Sequence, residues 1–144
     1  MASEWVREGL KYVLQVSFSE EDTVPANFYL ALISDTGVAE TDAWSDWTEI
    51  ETPGSNGYNR QTVATSDVGF TVSDITGADV IATTLTQTFT CSGVGWKTAG
   101  AVAMIMSDVG GDGGITMAAA DLGTARSLTT GDSLQVAMQL ELEG

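Results

Sequence analysis

Trp44 and Trp47 are the residues of this sequence whose type and spacing best suit ligand binding. They lie three residues apart among several carboxylates, in the long variable stretch 36–59. One helical turn would tuck both indole rings beneath this loop. Alternatively, the rings would stand exposed, as stacking platforms for a sugar or as a contact patch for a partner protein. Because large aromatic side chains are mostly buried, packing is the favoured interpretation.

The residue types needed for most catalytic sites are missing from the sequence. It contains no histidine and a single cysteine, which excludes Ser-His-Asp and Cys-His arrangements and effectively excludes a zinc site. The glycines of 110–114 follow a predicted strand but open no helix, so they indicate a turn and not a phosphate-binding loop. A glycosidase needs only two carboxylates, yet nothing selects a pair among the twenty acidic residues. The sequence therefore predicts no enzyme activity and no cofactor.

The loop Ser107–Asp112 is the one place where the sequence suggests a cation. It would bring Asp108 and Asp112 to a hard ion such as Ca²⁺, but it lacks the ligand density of an EF-hand loop. Asp and Gly are also the usual residues of a tight turn. We therefore predict a hairpin turn here and no metal.

Charge narrows the range of partners. The net charge is −15, and the five basic residues never cluster. Nucleic acids and anionic membrane surfaces are bound through basic patches, so both are disfavoured as partners. No apolar run approaches the ~18 residues of a membrane helix, and Glu4 and Glu8 argue against a secretion signal.

The N-terminal segment 1–18 is predicted to be helical. Ser3 is placed to cap a helix over 3–16, whose apolar stripe comprises Trp5, Val6, Leu10, Val13 and Leu14. This helix either packs on its own sheet or forms an arm that docks on a neighbouring subunit. If it is an arm, Trp5, Val6 and Leu10, together with Trp44 and Trp47, are the candidate interface residues.

The rest of the chain reads as β-structure. Val24–Ser34 is a short apolar run between a proline and a turn, which predicts a strand buried on both faces. Ser133–Glu143 alternates cleanly, which predicts one half-buried strand. Further β-segments are expected at 58–64, 66–79, 80–90, 100–106 and 115–122. Together they predict one all-β domain over 1–144, an antiparallel β-sandwich of Greek-key or jelly-roll type with one short N-terminal helix.

The order of these segments resembles a known group of proteins. An amphipathic helix precedes Pro25–Ile33, and Glu49-Ile50-Glu51, a Gly-containing turn and Gly57–Gln61 follow. Phe89-Thr90, Trp96, a Gly/Asp hairpin and Ser127-Leu128 before Gly131–Leu134 come later. This pattern resembles the small virion structural proteins of tailed double-stranded DNA bacteriophages, of the capsid decoration (cement) or tail-fibre type.

The resemblance implies a β-sandwich that assembles on a virion, often as a homotrimer. The expected function is that of a decoration protein, made in the bacterial cytoplasm, which binds the major capsid protein and stabilises the head. Strong acidity suits the outer capsid surface, because an inner position would press negative charge against packaged DNA. The alternative is a tail or fibre component that contacts a host receptor or a glycan through Trp44 and Trp47.

Overall fold

The computed structural model describes residues 3–19, 22–74 and 80–142. Within these ranges the chain forms ten strands and one α-helix, followed by a wider π-helical turn at Gln15–Ser19. In chain order the elements are β1 Glu4–Trp5, α1 Arg7–Leu14, β2 Asn27–Ile33, β3 Gln61–Ala64, β4 Phe70–Asp74, β5 Val80–Thr84, β6 Gln87–Thr90, β7 Ala99–Ile105, β8 Thr116–Arg126, β9 Ser133–Val136 and β10 Gln139–Leu142.

The strands form three antiparallel sheets. The largest has the order β1-β8-β7-β2-β3, and the two smaller ones have the orders β10-β5-β4 and β6-β9. The prediction of an all-β protein with one short N-terminal helix is confirmed. The β-sandwich arrangement, its Greek-key or jelly-roll connection and the single domain stay predictions.

Strand β2 is central to the large sheet and is buried on both faces, as its sequence predicts. Leu30, Ala31, Leu32 and Ile33 have no exposed surface. Leu30 and Leu32 belong to the main core cluster, whereas Ala31 belongs to a second cluster on the opposite face. Both faces of the strand therefore need a covering layer.

The main core joins the large sheet to both smaller sheets. Leu30 and Leu32 of β2 share this cluster with Phe89 of β6, Val136 of β9 and Leu140 of β10. Their side chains are at most 9% exposed. Removal of this apolar surface from water is the main force that holds the three sheets together.

The prediction for the N-terminal helix was wrong about where it begins. The hydroxyl of Ser3 donates to the backbone oxygen of Gln139 and does not cap a helix. Glu4 and Trp5 pair with β8, which covers an otherwise open sheet edge, and α1 begins only at Arg7. Residues 1 and 2 of the predicted segment lie outside the described residues.

The helix packs on its own chain. Val6 and Tyr12 are buried, and the backbone N–H of Val6 donates to the Met117 oxygen at 3.2 Å. Gly9 touches β8 so closely that a methyl group there would lie 2.6 Å from the Cα of Met117. Gly9 weakens the helix by about 1 kcal/mol relative to alanine, but it permits this close approach.

Two predicted strands are each broken in the middle. The predicted strand over 133–143 forms β9 and β10, and the predicted strand over 80–90 forms β5 and β6. The two breaks lie side by side, at Thr84 and Met138. The Thr84 N–H donates to the Met138 oxygen, and the Met138 N–H donates to the Thr84 hydroxyl, both at 2.9 Å. The paired strands thus leave one small sheet and enter the other together. Residues 75–79 of the predicted segment 66–79, and Glu143, lie outside the described residues.

Candidate functional site

Both tryptophans of the 36–59 stretch cover the second face of the large sheet. Ala31, Ala103 and Ala119 lie side by side across β2, β7 and β8. Trp44 and Trp47 pack against these alanines, and both indoles are half-buried. Small side chains leave room for bulky rings, so the packing interpretation is correct for one side of each ring.

Local contacts hold each indole in place. The Trp47 Nε1–H donates to a carboxylate oxygen of Asp42 at 3.2 Å. The guanidinium carbon of Arg60 lies 4.8 Å from the centre of the Trp44 ring, a cation–π contact. Gly113 abuts the same ring, since a methyl group there would lie 2.8 Å from Trp44 Cδ2. The tryptophans are therefore part of a preorganised surface.

A buried ion pair between Arg60 and Glu49 lies next to this surface. The side chain of Arg60 is 1% exposed, and it donates to both carboxylate oxygens of Glu49, Nε to Oε1 at 2.9 Å and Nη2 to Oε2 at 2.8 Å. Its Nη1 also donates to the backbone oxygens of Ser107 and Asp112, at 2.8 and 2.6 Å. Arg60 thus ties the hairpin loop between β7 and β8 to the segment that follows Trp47.

Tyr58 completes this network. Its hydroxyl donates to Glu49 Oε1 at 2.8 Å and accepts the backbone N–H of Leu32 at 3.0 Å. Burial, followed by the adjacent carboxylate of Glu49, raises the pKa of Tyr58 above its ordinary value. The ring packs edge-on against Trp96, with centroids 5.4 Å apart.

A cleft of about 450 Å³ opens beside the tryptophans. Glu49, Ile50, Glu51 and Lys97 also line it. Hydrogen bonds from Asn56 and from the backbone of Thr52 lower the pKa of Glu51, so this exposed carboxyl is ionised at neutral pH. The complete lining is Trp44, Ser45, Trp47, Thr48, Glu49, Ile50, Glu51, Thr52, Pro53, Gly95, Lys97 and Gly111.

The outer side of the N-terminal helix forms a second candidate surface. Leu10, Leu14 and Phe18 follow one another at intervals of four residues and are 37%, 57% and 82% exposed. We call these three residues the helix stripe. An apolar cavity of about 210 Å³ lies beside the helix and is lined by Trp5, Tyr12, Val13, Val16, Ser17, Val24, Pro25, Phe28, Phe70, Met104, Met117 and Leu140.

The five candidate interface residues do not form one surface. Trp5 packs against the main core and its Nε1–H donates to the Glu141 oxygen at 3.0 Å, whereas Trp44 and Trp47 pack on the opposite face of the large sheet. Leu10 is partly accessible. Val6 is completely buried within its own chain, so it is not accessible to a partner.

Sequence reasoning missed Arg60, Glu49 and Tyr58. All three lie in segments that contribute to the resemblance, Glu49–Glu51 and Gly57–Gln61, but no local pattern marked them as a buried network. Among the described residues, no three His, Cys, Asp or Glu side chains are grouped to hold a metal ion. Asp112 instead accepts the backbone N–H of Gly114 at 2.8 Å, as expected in a turn. No helix in the described ranges is long and apolar enough to cross a membrane.

Comparison of the chain with models of known protein families gave no match, and comparison with curated protein sequences gave none either.

Proposed function

We propose that the protein is a capsid decoration (cement) protein of a tailed bacteriophage, which binds the outside of the assembled head through protein–protein contacts. The observation that carries this proposal is the helix stripe, an exposed row of large apolar side chains on a strongly acidic chain. The proposal also draws on the order of segments in the sequence, which resembles virion structural proteins of this type.

The helix stripe has the character of a binding surface. Scattered exposed apolar residues are normal, but a contiguous row of them marks a site of association. Phe18 alone leaves 82% of its surface in water. Arg7 and Lys11 lie one turn before Leu10 and Leu14, so two of the five basic residues of the chain border this row. The three side chains of the stripe are themselves uncharged, in a molecule of net charge −15.

The helix is firmly attached to the sheet. The backbone N–H of Thr116 donates to the Glu8 carboxylate at 2.9 Å, and the Tyr12 hydroxyl donates to the Thr23 oxygen. A surface held in place in this way loses little conformational entropy when a partner binds. The proposed partner is the major capsid protein, and a ligand that binds only the assembled lattice stabilises that lattice by mass action.

The distribution of charge favours the outer surface of the head. Twenty acidic residues would be repelled by packaged DNA, whereas they keep free copies soluble in the bacterial cytoplasm before they bind. We propose that the protein binds as a homotrimer, and its mass in solution, measured by light scattering, tests this oligomeric state.

Point substitutions test the proposal better than removal of the segment. Deletion of residues 1–16 would remove β1 and the buried side chains of Val6 and Tyr12, so a loss of binding could not be separated from a loss of stability. The double variant Leu14→Ser, Phe18→Ser changes only exposed side chains. A matched control is Val94→Ser, Val109→Ser, because these valines are 83% and 61% exposed and lie outside the helix.

The experiment is co-sedimentation with undecorated heads of the phage that encodes the protein. The helix variant is expected to lose occupancy at least about tenfold, as expected when apolar anchors leave an interface, while the control binds like the wild type. Wild-type occupancy by the helix variant would refute the assignment of this surface.

A tail or fibre component that contacts a host receptor is the second candidate. The observation that favours it is the cleft beside Trp44 and Trp47, two half-buried indoles held in place by local contacts. The number of copies of this protein per purified particle separates the two candidates. A decoration protein is present in proportion to the capsid subunits, whereas a tail component is present in few copies.

A further inference from the structure

We propose that the cleft beside Trp44 and Trp47 is a binding site for a neutral oligosaccharide. This inference does not depend on where the protein sits on a particle. It rests on three properties of the cleft: its charge balance, its unpartnered hydroxyl groups and the paired backbone of Thr48 and Ile50.

The charges at the cleft cancel. Glu49 is neutralised by Arg60, and Glu51 shares the lining of the cleft with Lys97, which carries the opposite charge. An anionic ligand would also enter the field of a molecule with net charge −15. The cleft therefore favours a ligand that is polar but uncharged.

The polar groups of the cleft suit a ligand rich in hydroxyl groups. Ser45, Thr48 and Thr52 are exposed, and their side-chain hydroxyls have no hydrogen-bonding partner within the described residues. Lys97 forms no ion pair within 4.0 Å in the same part of the chain. A hydroxyl both donates and accepts, and a carboxylate accepts through several lone pairs, so these groups can match the rim of a sugar ring.

The apolar part of the lining suits the other side of such a ring. The indoles of Trp44 and Trp47 are held against the alanine row, so their orientation is set before a ligand arrives. A fixed aromatic surface beside a few placed polar groups is the usual composition of a small-molecule site, and about 450 Å³ is within the usual size range.

A peptide that adds as a strand fits less well along Thr48 and Ile50, because the backbone groups of these two residues are already paired. The N–H of Ile50 donates to the Leu32 oxygen at 3.1 Å, and the Ile50 oxygen accepts the Lys97 N–H at 3.0 Å. Thr48 uses its N–H on Asp35 and its carbonyl on Ser34. A peptide that binds by strand addition needs free N–H and C=O groups, so side chains must supply the recognition here.

The test is titration of the full chain with three neutral hexasaccharides: cellohexaose, maltohexaose and N-acetylchitohexaose. Binding is followed by tryptophan fluorescence, since two of the four tryptophans line the cleft, and by calorimetry. Saturable binding of at least one sugar is expected, with a dissociation constant of about 1 mM or tighter. A heparin hexasaccharide and an extended hexapeptide serve as the anionic and peptide probes, and neither is expected to bind.

A variant within the cleft and a control variant outside it test whether the sugar binds in the cleft. Thr48→Ala, Thr52→Ala removes two hydroxyls of the cleft and is expected to weaken binding at least about tenfold. Thr71→Ala, Thr124→Ala removes two exposed, unpartnered hydroxyls outside the cleft and is expected to change nothing. Circular dichroism checks that both variants are folded.

Three results would overturn the inference. The first is that none of the neutral sugars binds at about 10 mM. The second is that the cleft variant and the control bind equally well. The third is that the heparin fragment or the peptide binds in preference to every neutral sugar.

Discussion

At the scale of single residues, Arg60 does most to organise the candidate cleft. One guanidinium bonds Glu49 in a bidentate pair, holds two backbone oxygens of the β7–β8 loop and lies against the Trp44 ring. These partners come from two segments, 44–49 and 107–112, which are far apart in the chain. One buried side chain therefore links the 36–59 loop to the hairpin loop between β7 and β8.

Arg60→Met is predicted to lower the free energy of unfolding by about 3–5 kcal/mol, because it leaves Glu49 buried without its counter-ion. Chemical denaturation measures this. The matched control is Arg7→Ala, which breaks an ion pair with Glu40 whose side chains are 72% and 57% exposed. This control should lose less than about 1 kcal/mol. Equal losses in the two variants would contradict the role given to Arg60.

Tyr58→Phe tests the second member of the network. It leaves the buried N–H of Leu32 without an acceptor and is predicted to destabilise the chain by about 1–3 kcal/mol. Tyr29→Phe is the control, since the Tyr29 hydroxyl has no hydrogen-bonding partner within the described residues. A thermal melt of both variants that shows no difference would mean that water satisfies the Leu32 N–H.

The residues of this network could not be predicted from the sequence. An arginine in a β-segment is ordinarily solvated, and its burial becomes intelligible only when Glu49 and the carbonyls of Ser107 and Asp112 are brought to it by the fold. Trp44 and Trp47 were predictable as packing residues because of their size. The alanine row beneath them depends on the register of three strands, which no local pattern encodes.

At the scale of elements, the type of each segment followed from its pattern, but its boundaries did not. The apolar run of β2 and the turn residues after it were sufficient to predict a doubly buried strand. The continuous alternation over 133–143 hid the break between β9 and β10, because Leu134, Val136, Met138 and Leu140 face the core on both sides of it. The strand at Glu4–Trp5 was missed because only its pairing with β8 makes it a strand.

Gly9→Ala is the test at this scale. Alanine would improve helix propensity by about 1 kcal/mol, but its methyl group would overlap the backbone of Met117, which cannot move aside as a side chain can. Overpacking costs about 1–3 kcal/mol, so we predict a net loss of stability in denaturant titration. Leu14→Ala, on the exposed side of the same helix, should change it by no more than about 0.5 kcal/mol. A stabilised Gly9→Ala variant would mean that α1 does not lie so close to β8.

At the scale of the whole molecule, charge and exposed apolar surface act together. A net charge of −15 separates free copies, while the helix stripe provides the low-charge surface on which a partner can bind. Composition alone predicted the repulsion. The stripe was harder to predict, because the helical pattern shows which residues are apolar but not which of them face the sheet. In the structure Val6 and Tyr12 pack against the sheet, whereas Leu14 and Phe18 are exposed.

This balance predicts how solubility depends on pH. Near the isoelectric point of about 4.1 the repulsion disappears, so the wild type should precipitate there through its apolar surface. The Leu14→Ser, Phe18→Ser variant should stay soluble to a higher protein concentration at that pH, whereas Val94→Ser, Val109→Ser should not. Light scattering across pH 7 to pH 4 compares them. Identical curves for all three proteins would show that the stripe does not drive association.

The most direct test of the central claim is the number of copies of this protein on intact, purified phage particles, counted by quantitative mass spectrometry and located by electron cryomicroscopy. The account predicts a fixed ratio to the major capsid protein, with density on the outer surface of the head and the helix stripe at the contact. Absence from the particle, or a few copies confined to the tail, would contradict it.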